Sequence, residues 1–243
     1  MITYEMGEIM KIGIMQPYFI PYIGYWQLIN AVDKYVVYDD VNFIKGGWIN
    51  RNRLLINNEP KYFNLQMSGA SANKLINEVG INSNDAFKAK NLRIIEASYK
   101  KAPYFESVYP IVKEIFNYET SHLVDFIVNS FKIIANYLDI KTEFVISSTI
   151  NKNNDLRGQD KVIHICKLLN GTEYYNAVGG QELYSFEEFK NNGIKLSFLQ
   201  TNNIIYEQFT TQFYGNLSII DVMMFNSCEE VKNFLDEYKL IVE

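Results

Sequence analysis

Short apolar runs separated by polar, glycine- or asparagine-bearing turns fill the two ends of the chain, and longer stretches with helical spacing fill its middle. The first apolar run, residues 11–15, reads as a buried strand. Residues 22–32 then place Ile23, Trp26, Gln27, Leu28 and Ala31 at helical spacing, and Tyr35-Val-Val-Tyr38 has the β-branched and aromatic character of a second buried strand. Strand, crossover helix and strand in that order make a βαβ unit with parallel strands. Further on, Leu55, Ile56, Tyr62, Asn64 and Leu65 bracket the turn Asn57-Asn-Glu-Pro60 and predict a hairpin over residues 53–67. A small polar loop over residues 68–73 and a strand over residues 76–81 follow.

From residue 83 to residue 138 the spacing is helical. One run passes from Asp85 through Phe87, Leu92, Ile95 and Tyr99 and stops near Pro103, and residues 105–118 and 121–138 supply two more amphipathic stretches. Their polar residues show no convergent spacing, so they read as scaffold or lid, with His122 an exposed helix-start residue. The last third returns to strands and helices: a strand at residues 143–146, a polar loop at 151–159, a helix at 160–169 closed by Asn170-Gly171, and a strand at 174–176. A helix over residues 185–191, a strand over 194–198 and an apolar helix carrying Asp221, as a local cap or ion-pair partner, complete the reading. This rhythm predicts an α/β fold with a mainly parallel sheet, a Rossmann-like βαβ start and a helical insertion. The expected organisation is an N-terminal α/β half (residues 10–82), a helical segment (83–140) and a C-terminal α/β half (141–243), packed as one compact domain.

Composition narrows the function classes. With 243 residues and 48% hydrophobic positions the chain can bury a sizeable core. A net charge of −5 argues against an extensive nucleic-acid surface, because such affinity comes from many Lys and Arg contacts to phosphate. The two cysteines, Cys166 and Cys228, lie far apart without metal-ligand spacing, and two histidines leave little room for a His-based metal site. No metal ligands are therefore assigned, and the residue pattern specifies no cofactor. The absence of a long apolar run, and of basic and apolar regions in residues 1–9, gives an expected cytoplasmic location with no membrane contact. Residues before Met10 read as a dispensable extension or an upstream start.

The chemistry concentrates between residues 16 and 53. Gln16, Pro17, Tyr18, Pro21, Tyr22, Gly24 and Tyr25 directly follow the first strand, where the two prolines stiffen the chain and disfavour helix just before them. Polar and aromatic groups are thereby presented at a strand end, where open α/β sheets bind ligands. After the second strand come Asp39 and Asp40, then Lys45, Trp48, Asn50, Arg51 and Arg53, two of only four arginines in the chain. A solvated turn with two snorkelling arginines is the plainer alternative. Adjacent carboxylates at a strand end point in opposite directions, so one faces the cleft and the other caps the loop. Gly179 and Gly180 are able to bring backbone N–H groups close to a phosphate or carboxylate, although a plain turn explains them as well. Cys166 lies in an apolar helix and reads as a buried thiol.

Met15-Gln-Pro-Tyr-Phe-Ile-Pro-Tyr-Ile-Gly-Tyr25, Tyr38-Asp-Asp-Val-Asn-Phe-Ile-Lys45, Trp48-Ile-Asn-Arg-Asn-Arg53, Tyr99-Lys-Lys-Ala-Pro-Tyr-Phe105 and Leu217-Ser-Ile-Ile-Asp221 together resemble the WbqC-like protein family. The resemblance implies a role in bacterial O-antigen and other surface-polysaccharide biosynthesis, with transfer of glycine or a related acyl group from an activated donor to the amine of a nucleotide-linked deoxyamino sugar, such as a dTDP-sugar. It supplies no catalytic residues, so roles come from chemistry. Asp39 or Asp40 would orient the amine and accept its proton. Gln16 and Asn50 would polarise a carbonyl or recognise hydroxyls, and Lys45 would stabilise an oxyanion. Arg51 or Arg53 would grip a diphosphate or carboxylate, and Tyr18, Tyr22, Tyr25 and Trp48 would stack on a base or pyranose. A noncatalytic module that binds a nucleotide sugar or an assembly partner is the alternative from another class. A weaker similarity to nucleotidyltransferase-like α/β proteins implies an ATP-using ligase, but no histidine occurs between Met10 and His122 to match their ATP-binding loop.

Overall fold

The computed structural model describes residues 9–82 and 84–243, so the expectation of a dispensable N-terminal extension falls largely on residues outside it. The first elements are β1 (Lys11–Met15), α1 (Ile23–Asn30) and β2 (Lys34–Val37), then the hairpin β3 (Arg51–Ile56) and β4 (Glu59–Asn64) and the short strands β5 (Met67–Ser68) and β6 (Gly80–Ile81). Three helices follow, α2 (Asp85–Tyr99), α3 (Phe105–Asn117) and α4 (Leu123–Tyr137). The chain then alternates through β7 (Glu143–Ile146), α5 (Gly158–Leu168), β8 (Glu173–Ala177), α6 (Phe186–Asn191) and β9 (Lys195–Thr201), and ends with α7 (Ile219–Phe225), α8 (Cys228–Leu235) and β10 (Tyr238–Ile241).

Six strands form one sheet in the order β10-β9-β8-β1-β2-β7. All neighbours run parallel except β10, which returns antiparallel to β9. The α/β class, the mostly parallel sheet and the helical segment α2–α4 therefore match the reading of the sequence. Successive side chains of a strand point to opposite faces, and both faces here are covered. Ile12, Ile14, Val36 and Tyr174 pack with Val162, Ile165 and Cys166 of α5 and Phe189 of α6. Tyr35, Val37 and Tyr175 turn the other way, into the larger core built on α1, the three middle helices, α7 and α8.

Two departures have local causes. The strand expected at residues 76–81 is a 3-10 turn, Ile76–Glu78, followed by β6. Its amides are already spent, because Ile76 N donates to Val41 O and Asn77 N to Asp39 O, which ties this segment to the loop after β2. At the end of α5 it is Asn170 that takes the left-handed conformation, with φ 59°. Gly171 serves close approach instead: its N–H donates to Cys166 O at 2.7 Å, and a Cβ there would stand 2.5 Å from Ile12.

The order of the sheet creates a topological switch point. From β1 the chain builds outward through β2 to β7, then returns to pair β8 on the opposite side of β1. Loops leaving the carboxyl ends of β1 and β8 diverge, which opens a crevice between them.

Candidate functional site

The loop from Gln16 to Tyr22 is fixed by contacts from distant parts of the chain. Asn52 is fully buried in β3, and its side-chain amide donates to the carbonyls of Phe19 at 3.2 Å and Ile20 at 2.5 Å. Ser218 donates to the same Ile20 carbonyl at 2.8 Å, and the Trp26 indole donates to Pro21 O at 3.2 Å. These bonds hold Ile20 at φ 40°, a conformation a β-branched residue rarely adopts. Strain of this kind persists only where surrounding contacts over-determine it.

The loop forms one wall of a 790 Å³ pocket outside the carboxyl ends of β1 and β8. Of the side chains singled out in the sequence, Gln16, Tyr18, Tyr22, Tyr25, Trp48 and Arg53 line this pocket together with Gly179 and Gly180. Tyr25 is buried and forms floor: its hydroxyl donates to Gln16 O at 2.8 Å and its ring lies 5.6 Å from Tyr35. Tyr18 meets Tyr25 edge-on at 5.6 Å and lies 5.7 Å from Trp48, which lines the pocket and is 40% exposed. Arg53 brings the positive charge. Its guanidinium lies 5.9 Å from the Trp48 ring and reaches Asn216 O at 3.5 Å, while its Nε has no partner. Among the described residues no carboxylate lies within ion-pair distance of Arg53, and none lines the pocket. Gly180 is packed close, a Cβ there meeting Asn176 Oδ1 at 3.0 Å, whereas Gly179 borders open space.

The remaining candidates stand elsewhere, and the expected convergence of the acidic pair with the proline loop is corrected. Asp39 is 1% exposed and caps the 3-10 turn Ser147–Thr149, accepting from Ser148 N at 2.8 Å and Ser148 Oγ at 2.6 Å. Asp40, which like Asp39 lies beyond the end of β2, turns to the same segment rather than to the opposite side. It accepts from Ser147 Oγ at 2.6 Å and pairs with Lys152 at 2.9 Å and Lys161 at 3.0 Å. Both carboxylates thus turn toward β7 and α5, because the serines and lysines there satisfy them. Lys45 is exposed and is not among the residues that line the aromatic pocket. Asn50 donates to Leu65 O at 3.3 Å, joining the loop to the segment after β4. Arg51 is not among the pocket-lining residues: its guanidinium lies 5.6 Å from the Trp48 ring and 4.8 Å from the Tyr62 ring and donates to Gly46 O.

Burial sets the electrostatics. It raises the hydroxyl pKa of Tyr18, Tyr22 and Tyr25, so these groups stay protonated and act as donors. Tyr38, which follows β2 and lines the pocket, is pushed up to about 12 by burial and then by Asp40. For Asp40, burial alone acts upward, but hydrogen bonds from Ser147, Lys152 and Lys161 together outweigh it and hold the carboxyl below its usual value. Sequence reasoning passed over Tyr38, Asn176, Tyr184 and Asn216 as pocket residues, and Asn52 as the anchor of the loop. Asn52 had a signal: an amide alternating with Arg51 and Arg53 along a strand must face inward and needs buried partners. Among the described residues no cluster of three or more His, Cys, Asp or Glu side chains is arranged to hold a metal ion, and no helix is long and apolar enough to cross a membrane.

Comparison with known proteins places this architecture in a family. The chain is 26% identical over 230 residues to the uncharacterized protein Rv1507c of Mycobacterium tuberculosis (strain ATCC 25618 / H37Rv), an alignment covering 93% of this chain and 97% of that one. No solved structure matches it. The model of the WbqC-like protein family matches residues 16–233, from the proline loop through α8, and includes every side chain that lines the aromatic pocket apart from those of Ile14 and Met15. The chain belongs to the WbqC-like protein family.

Proposed function

We propose that this protein is an enzyme of bacterial surface-polysaccharide biosynthesis that binds a nucleotide-linked deoxyamino sugar, such as a dTDP-sugar, and transfers glycine or a related acyl group to its amine. One observation carries the reading: a 790 Å³ pocket at the switch point of the sheet combines aromatic faces with a guanidinium that has no carboxylate partner among the described residues. Tyr18, Tyr22 and Trp48 offer faces on which a base or pyranose stacks. Arg53 offers a fork matched to phosphate oxygens.

In the transfer, the neutral amine nitrogen attacks the carbonyl carbon of the donor, the new C–N bond forms, and the bond from that carbon to the leaving group breaks. The proton lost from nitrogen leaves with the departing group. Gln16 lines the pocket, and in this scheme its side-chain amide donates to the developing oxyanion, the kind of stabilisation that dominates acyl transfer. Asp39 and Asp40 are assigned no part in proton transfer, since both carboxylates are engaged outside the pocket.

A second reading, a noncatalytic nucleotide-sugar binding module, is favoured by the lining itself, which among the described residues holds no carboxylate, imidazole, thiol or lysine. Incubation with a dTDP-linked amino sugar and an activated glycyl donor, read by mass spectrometry, separates the two. Acyl transfer gives a sugar heavier by one glycyl residue. Saturable binding without product supports the binding module, and absence of both discards the pocket as a nucleotide-sugar site.

A further inference from the structure

A second cavity, of 670 Å³, opens outside the carboxyl ends of β2 and β7, and Tyr38 lines both it and the aromatic pocket. Its charged lining is Asp40, Lys152, Arg157 and Lys161, three cations against one carboxylate. Both lysine side chains are almost fully buried, at 1% and 4% exposure, and both reach the same oxygen, Oδ2 of Asp40. Asp39, the next residue back, is committed to Ser148. Burying an ammonium group is costly unless it is paired; among the described residues Asp40 is the carboxylate within ion-pair distance of the two lysines, and Asp39 adds a second negative charge beside it. Arg157 brings the excess positive charge: its Nη1 donates to Asn154 O at 3.0 Å, and no carboxylate among the described residues pairs with it.

The donors are not used up. An ammonium group carries three N–H bonds. Lys152 spends two, on Asp40 and on Ser147 O, and Lys161 spends two, on the Asp40 carboxylate and, at 3.5 Å, the Asp40 carbonyl, with its ammonium 5.4 Å from the Tyr38 ring that borders the cavity. The α5 helix also begins at this wall, where Gly158 lines the cavity and the N-cap Arg157 supplies no side-chain acceptor to the first-turn amides. Such amides favour an anion.

We propose that this cavity is a phosphoryl-binding subsite, separate from the aromatic pocket, that takes a dianionic phosphate or a diphosphate against Lys152, Lys161, Arg157 and the start of α5. Two sources share this chemistry: the diphosphate of a nucleotide sugar whose base lies in the aromatic pocket, and a phosphorylated second substrate that meets it across Tyr38.

Calorimetric titration of the full chain with inorganic pyrophosphate at low ionic strength tests the subsite without any sugar or turnover. The wild type binds saturably, Arg157→Ala weakens binding about tenfold, as loss of a charge-assisted contact does, and Lys161→Met abolishes it. Arg157 is exposed, so its replacement keeps the fold even if the buried Lys161→Met does not. No saturable binding to the wild type, or equal affinity in Arg157→Ala, overturns the proposal. Repeating the titration with thymidine diphosphate present assigns the source: competition places the nucleotide's own diphosphate here, and independent binding leaves the subsite to a second substrate. A chain that binds pyrophosphate in this way but transfers no acyl group retains the subsite and discards the acyl-transfer reading, so the two failures are distinct.

Discussion

A buried amide must find partners for both its N–H2 group and its carbonyl, and Asn52 finds them at the pocket: it donates to Phe19 and Ile20 and accepts from Tyr18 Oη at 3.4 Å. Asn52→Ala removes the side-chain donor to Phe19 O, leaves Ile20 O to Ser218 alone and takes away one of the bonds that hold Ile20 at φ 40°. It is predicted to lower stability in urea by about 2–3 kcal/mol and to weaken ligand binding although Asn52 does not line the pocket. Trp48 is the complementary case, a half-exposed ring whose contacts, with Tyr18, Tyr62, Arg51 and Arg53, all lie around the pocket mouth. Trp48→Ala is predicted to cost about 1 kcal/mol of stability, as loss of exposed cation–π contacts does, and to reduce affinity for a nucleotide sugar by about 1–3 kcal/mol, as loss of base stacking does. Trp26 is fully buried, so quenching of tryptophan emission on titration reads Trp48 directly. Asp221 titrates in the core. It accepts from Tyr99 Oη at 2.7 Å, Tyr206 Oη at 2.6 Å and Gln208 Nε2 at 2.9 Å, and burial raises its pKa despite those bonds. With the folded value raised, the folded state binds the extra proton, so this group's stabilisation is complete below the unfolded value, about 4, and is lost as pH rises through the folded value. Denaturation midpoints of wild type relative to Asp221→Asn should fall across that window, and a flat difference would remove Asp221 as the titrating group.

At the scale of elements, α1 packs one of its turns against the end of β9 through a missing side chain. A Cβ on Gly24 would stand 2.4 Å from Thr201 Oγ1 and 2.6 Å from the Tyr22 ring. Gly24→Ala therefore overpacks the junction that sets the pocket wall, and about 1–3 kcal/mol of destabilisation is expected in thermal or urea unfolding; wild-type stability would show that the junction yields. The elements themselves were largely legible, because β1, α1 and β2, the hairpin, the three middle helices and the β7 to β9 run each carry their own period of apolar residues. α8 was missed although Ser227 and Glu230 form a capping box with Ser227 N donating to Glu230 at 2.7 Å, a spacing visible in the sequence. β10 had no such mark: it has a half-exposed, partly charged edge whose place depends on β9. In the site, the proline loop and its aromatics were legible from their position after a strand. The direction of Asp40 was not, since its partners Ser147 and Lys161 lie 107 and 121 positions away. Lys161 left one trace, a lysine standing four residues before Ile165 in the buried stripe of α5.

For the whole molecule, the doubly wound sheet places everything of chemical interest along one edge. The carboxyl ends of β1 and β8 open onto the aromatic pocket, those of β2 and β7 onto the basic cavity, and Tyr38 stands between them. Segments far apart in sequence meet there: Trp48 and Arg53 from the region around β3, Asn176 and Tyr184 around β8, and Asn216 ahead of α7. The α2–α4 helices contribute none of these lining residues and serve the core behind α1, where Phe131 packs on Trp26 and Tyr35. The central claim is that a nucleotide-linked amino sugar occupies the aromatic pocket, and a crystal structure of the complex with a dTDP-linked amino sugar tests it most directly. The account predicts a ring stacked on Trp48 or Tyr18, a phosphate oxygen within hydrogen-bond reach of Arg53 and the amine facing Gln16; a ligand bound away from the carboxyl ends of β1 and β8 would contradict it.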